Sequence, residues 1–68
     1  MAWIFKPKTN GALMVERGAV VIGLHVAQKW KLKKVYYDEN GEERFILDNR
    51  NVQFNFNKEE LERYFVEA

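Results

Sequence analysis

Alternation of apolar and polar positions dominates this chain and predicts strands along most of its length. Trp3-Ile4-Phe5-Lys6 is a short β-type run ended by Pro7, the only proline, and Lys8-Thr9-Asn10-Gly11 reads as a turn. Leu13–Glu16 and Ala19–Val26 follow, rich in β-branched residues and separated by Arg17-Gly18. They predict a hairpin. Its second strand does not alternate, which predicts burial on both faces.

Gln28–Tyr37 is the most informative stretch. Trp30 and Leu32 point one way, with Lys34 and Tyr36 in the same phase, whereas Lys29, Lys31 and Lys33 point the other. The apolar phase slips at Lys33-Lys34, beyond which Val35 and Tyr37 take the positions the lysines had. A bulge or strong coil there absorbs the slip. Asp38-Glu39-Asn40-Gly41 is a turn with Asn-Gly at its apex, and Glu43–Asp48 returns as the partner strand. After the turn Asp48-Asn49-Arg50-Asn51, Val52–Phe56 alternates with Val52, Phe54 and Phe56 on one face.

Asn57-Lys58-Glu59-Glu60 has the form of a capping box, with Asn57 as N-cap and Glu60 reaching back. It predicts a C-terminal helix over 58–67 with Leu61, Tyr64 and Phe65 on one face. So short a helix is marginal alone and must dock on the sheet. The predicted class is therefore mainly β, a single domain over 1–68. Five to six short antiparallel strands and one helix suit a small SH3-like or OB-like barrel, or a curled open sheet covered by the helix.

Composition narrows the chemistry. The chain has 68 residues, 47% of them hydrophobic, 15% aromatic and 31% charged, with a net charge of +1. That is too apolar and too nearly neutral for a disordered chain. It contains no cysteine, so there is no disulfide framework, thiolate metal site or Cys nucleophile. Serine is absent too, and Thr9 sits in a predicted turn without a nearby base. His25, the sole histidine, has no orienting partner in sequence and reads as structural. Glu42-Glu43 and Glu59-Glu60 lie at a turn exit and in a helix first turn, where acids are ordinarily solvated. The expectation is a non-catalytic protein with no cofactor and no metal. The start of the chain lacks the apolar stretch of a secretory signal, and no run approaches the ~20 residues of a membrane span. A cytoplasmic protein without membrane contact is expected.

The near-neutral total conceals a dipolar chain. Residues 1–37 hold seven Lys/Arg against Glu16 alone, or +6; residues 38–68 hold four against nine acids, or −5. Folding decides whether these halves occupy separate surfaces, because Lys29–Lys33 is expected to pair with Glu43–Asp48, and cross-strand pairs would cancel the field locally. The stretch Lys29, Trp30, Lys31, Lys33, Lys34, Tyr36 and Tyr37 interleaves bases with aromatics and is the candidate binding set. Three readings compete for it: a face contacting a larger protein with an acidic surface, a nucleic-acid platform in which lysines neutralise phosphates and rings stack on bases, and a solvated strand face that resists edge aggregation. Trp30 is out of phase with the lysines, and the pI of about 8.0 is low for a nucleic-acid binder.

The aromatics Trp3, Phe5, Tyr36, Tyr37 and Tyr64 exceed what so small a core hides, which favours a protein interface. Strand addition at an open edge formed by Trp3–Lys6 or Val52–Phe56 is a further route, and a structural homo-oligomer is a third possibility. The leading expectation is a small binding module of accessory or inhibitor type, a class that viruses, phages and mobile elements encode. It would act by covering a partner's surface.

Overall fold

The computed structural model describes residues 3–16 and 18–68. Of the predicted Arg17-Gly18 separator, the Arg17 position lies outside the described residues. The elements are β1 (Ile4–Pro7), β2 (Gly11–Val15), β3 (Val20–Leu24), β4 (Trp30–Tyr37), β5 (Glu43–Asn49), β6 (Val52–Asn57), α1 (Lys58–Tyr64) and β7 (Phe65–Glu67). A five-stranded antiparallel sheet runs in the order β6-β5-β4-β1-β7, and β2 and β3 form a separate hairpin. The result is mainly β with one short helix near the C-terminus, a small β-barrel-like fold.

Inward-facing residues on every strand meet in one core. Trp30 stands at its centre, 2% exposed. Its ring meets Phe56 and Phe65 edge-on, with centroids 6.2 and 5.7 Å away, and Phe54 at 6.3 Å. Edge-to-face contacts of this kind add to the large apolar area such rings remove from water. The indole N–H, which must find a partner inside, donates to Gln28 Oε1 at 3.1 Å.

Three expectations need correction. The helix ends at Tyr64 rather than at residue 67, and Phe65–Glu67 is a strand paired with β1 through Pro7↔Phe65, Lys6↔Val66 and Phe5↔Glu67. Tyr64-Phe65-Val66 is an aromatic and β-branched run, and the free edge of β1 supplies the backbone partners that a longer helix would leave unmet. β1 is consequently an interior strand, flanked by β4 and β7, so the edge anticipated at Trp3–Lys6 is taken; the anticipated edge at β6 is present. β3 is buried on one face only: Ile22 and Leu24 enter the core, whereas Val21 is 62% exposed.

Local signals elsewhere are followed closely. Both halves of the capping box form, Asn57 Oδ1 accepting from the Glu60 N–H at 2.7 Å and Glu60 Oε1 from the Asn57 N–H at 3.0 Å. In the β4–β5 turn Gly41 takes φ +75°, and Asp38 Oδ1 accepts the N–H groups of Asn40 and Glu42, each at 2.9 Å. The β5–β6 turn places Arg50 and Asn51 at φ +52° and +67°, one residue later than predicted.

Candidate functional site

The outer face of β4, β5 and β6 is set by register. Up to Leu32 the inward residues of β4 are Trp30 and Leu32, and Lys31 lies outward, opposite Asp48. The register then shifts between Leu32 and Lys34. This is the bulge that the phase slip demanded: one extra residue, Lys33, is accommodated, and Val35 is returned to the inner side opposite Phe45. Beyond it Lys34 lies opposite Ile46 and Tyr36 opposite Arg44, both pairs outward. Period-two continuation places Asn55 and Asn57 on the same face of β6. On β1, Ile4 pairs with Lys31, so Ile4 and, two residues on, Lys6 share that face.

Lys6, Lys31, Lys34 and Arg44 therefore occupy one face on which Asp48 is the sole opposing charge among β1, β4, β5 and β6. Lys29, just before β4, and Lys33 at the bulge are both exposed beside it. The other acids of β5 and β7 fall elsewhere, Glu43 and Glu67 on the inner-side register with Tyr37 and Phe5. The outward bases of these strands are mostly not cancelled strand against strand, whereas Glu16, Asp38, Glu42 and Glu60 gather around Arg44 in one cleft and Lys8 shares a groove with Glu43 and Glu62. Only Asp48 performs the local cancellation expected of the β4–β5 pairing, and no ion pair joins it to Lys31; among the described residues the one ion pair is Arg44–Glu42 at 3.5 Å.

The aromatic members of the set divide. Trp30 is a core side chain and leaves the surface altogether. Tyr36 is half-buried: Lys34 Nζ lies 5.4 Å from its ring centroid, and its hydroxyl accepts a hydrogen bond from Asn55 Nδ2. Asn55 Oδ1 in turn accepts from Arg44 Nε at 2.7 Å. This three-strand network holds Arg44 and Tyr36 in place at a polar cleft of about 600 Å³ that four acids, Glu16, Asp38, Glu42 and Glu60, also line. Tyr37, 71% exposed, and Trp3, 63% exposed, are the open rings. Of the other aromatics assigned to the excess, Phe5 is buried and Tyr64 half-buried.

Arg44, Asn55 and Lys6 belong to this surface and were missed by sequence reasoning. Arg44 and Asn55 are 11 residues apart and meet only once register is known. The available signal was parity, since each occupies a polar position on an alternating strand.

Other chemistry is sparse. His25 is exposed, its Nδ1 accepting from the Ala27 N–H at 3.1 Å in a local turn. Among the described residues no group of three or more His, Cys, Asp or Glu is placed to hold a metal ion, and no helix is long and apolar enough to cross a membrane. An apolar groove of about 690 Å³ opens between β4 and α1, floored by Leu32, Val35, Phe45 and Leu61 with Glu43, Glu62, Lys8 and Lys58 at its rim. Comparison with protein-family models, with curated proteins and with solved structures returned no match.

Proposed function

We propose that this protein is a non-catalytic binding module of accessory or inhibitor type that docks on an acidic surface of a larger protein. The lysines around β4 (Lys29, Lys31, Lys33 and Lys34) steer the encounter, and the open ring of Tyr37, at the end of the strand on the opposite register, adds an aromatic contact at the rim of that face. The observation that carries this reading is the charge imbalance at the outward positions of β1, β4 and β5, where Lys6, Lys31, Lys34 and Arg44 meet Asp48 alone, with Glu42 paired to Arg44 at the edge. The mechanism is steric, with a rigid sheet covering its partner's surface. A cytoplasmic location accords with the cysteine-free composition.

The runner-up is a nucleic-acid platform on the same strand. It needs free rings between the lysines, and the ring between Lys29 and Lys31 is core while that of Tyr36 is covered by Lys34. That leaves Tyr37 as the one open ring on β4, which favours a protein partner.

Two measurements test the choice. Protein retained on the wild-type chain from a host lysate should survive nuclease and be lost when Lys31→Glu and Lys33→Glu are combined. With the retained protein purified, the double variant should associate at least tenfold more slowly at low salt, with a flatter salt dependence of the on-rate. An unchanged on-rate overturns the proposal. Strong, salt-sensitive quenching of intrinsic fluorescence by single strands or duplexes would transfer the surface to nucleic acid.

A further inference from the structure

The β2–β3 hairpin differs from the rest of the chain in one respect. From Asn10 to Gln28 only Glu16 and Arg17 are charged, in a protein that is 31% charged. The inner face of the hairpin is core: Leu13, Val15, Ile22 and Leu24 are all buried. Its outer face is as apolar as its inner one. Met14 and Val21 stand directly opposite each other, 61% and 62% exposed, and Ala12 faces Gly23 one pair along, both exposed.

We infer that this outer face is where two copies of the chain pack together about a two-fold axis. A face without charge presents nothing that repels its own copy, whereas the lysine-bearing face of β4 would meet a second copy base against base. Depletion of charge at the centre of a patch is the compositional mark of a protein interface, and two-fold contacts between identical patches are the commonest form of assembly. The contact is face to face and not edge to edge. At the end of β3 the Gln28 side chain already serves the strand's outer groups, accepting from the His25 N–H at 3.1 Å and donating to the Gly23 carbonyl at 3.2 Å. Strand addition there would have to displace it. Glu59, Glu60 and Arg63 line a shallow cleft with Met14 and Ala12 and form the polar rim.

A patch of two large and a few small residues is smaller than a stable interface requires, so only a weak dimer, populated toward millimolar concentration, is expected. Sedimentation equilibrium from about 10 μM to about 1 mM should carry the average mass from that of the 8.1 kDa chain toward twice that value. Val21→Lys should weaken association at least tenfold, and Gly23→Lys should do the same. A Cβ at Gly23 meets no atom within 4 Å and its φ is not positive, so that substitution leaves the monomer intact. Mixing Val21→Lys with Val21→Glu should restore a dimer of one chain of each kind. A wild-type chain still monomeric at the highest concentration overturns the inference, and so does undiminished dimerisation of both lysine variants.

Discussion

The β2–β3 hairpin and the β4–β5 ribbon solve the same folding problem and differ on the side that the core does not use. Both are antiparallel pairs whose inner residues alternate into one cluster, Leu13 and Ile22 from the hairpin, Leu32 and Leu47 from the ribbon. Outward, the ribbon carries Lys31, Lys34, Arg44 and Asp48, whereas the hairpin carries Met14 and Val21. A wet face needs polar side chains, and the ribbon has them. An outer face that stays apolar adds nothing to the monomer and makes edge and face contacts with other chains more favourable. Stability is thus common to the two regions, and what separates them is the kind of surface each offers.

Trp30→Ala tests whether the two regions share one core, and should have the largest effect. Removing a central aromatic costs about 3–5 kcal/mol, a large part of the stability of a domain this small. Because Leu13 and Ile22 belong to the same cluster as Trp30, hairpin amides should lose hydrogen-exchange protection together with those of β4. Retained protection in the hairpin would show two independent cores. Trp3→Ala, at a 63% exposed position, should change stability by about 0.5 kcal/mol or less.

The link between the regions is Gln28. One amide accepts from the Trp30 indole and the His25 N–H and donates to the Gly23 carbonyl. Gln28→Ala leaves the indole N–H without its partner inside the core and should cost about 1–3 kcal/mol in urea unfolding. Gln28→Glu keeps the acceptor and loses the donor, so a smaller loss is expected. An equal loss in both variants would assign the effect to packing.

Outside both regions, Asn57→Ala provides a local yardstick. It removes one half of the capping box and should cost about 1 kcal/mol. Glu60→Gln, which keeps an acceptor for the Asn57 N–H, should cost less. If the two were equal, the Glu60 charge rather than its hydrogen bond would be the active element.

The ribbon was legible in the sequence because its two faces differ in polarity. The Lys29–Lys33 alternation assigned Trp30 inward, and the slip at Lys33-Lys34 predicted the bulge. The Asn40-Gly41 turn and the Asn57–Glu60 box were readable because their chemistry is local, whereas Gly11 opens β2 without the positive φ an Asn-Gly turn uses. The end of the helix was not. Leu61, Tyr64 and Phe65 fit a helical stripe, and a strand of three residues is too short to show a period of its own. Only the availability of β1 as a pairing partner decides it. Of the candidate surface, the lysines were visible. The Arg44–Asn55–Tyr36 network was not, because it joins three strands through register.

The hairpin was misread for an instructive reason. Absence of polar residues from Ala19 to Leu24 signals that both faces avoid water, and burial within the chain was the obvious way to achieve that. A chain of 68 residues has one layer to place over β3, and it covers Ile22 and Leu24. On the inference drawn above, a second copy of the chain covers Val21. The smallest predicted effect makes this distinction. Val21→Thr keeps the β-branched shape on an exposed strand position, so in dilute solution, where the chain is monomeric, stability should change by about 0.5 kcal/mol or less. Lys34→Gln on the ribbon should behave alike. At about 1 mM, where a weak dimer is populated, Val21→Thr should lower the melting temperature relative to wild type and Lys34→Gln should not. The concentration dependence of stability therefore separates a neutral outward face that meets its own copy from a charged one that stays in water. Equal behaviour of the two variants at both concentrations would erase the contrast between the regions.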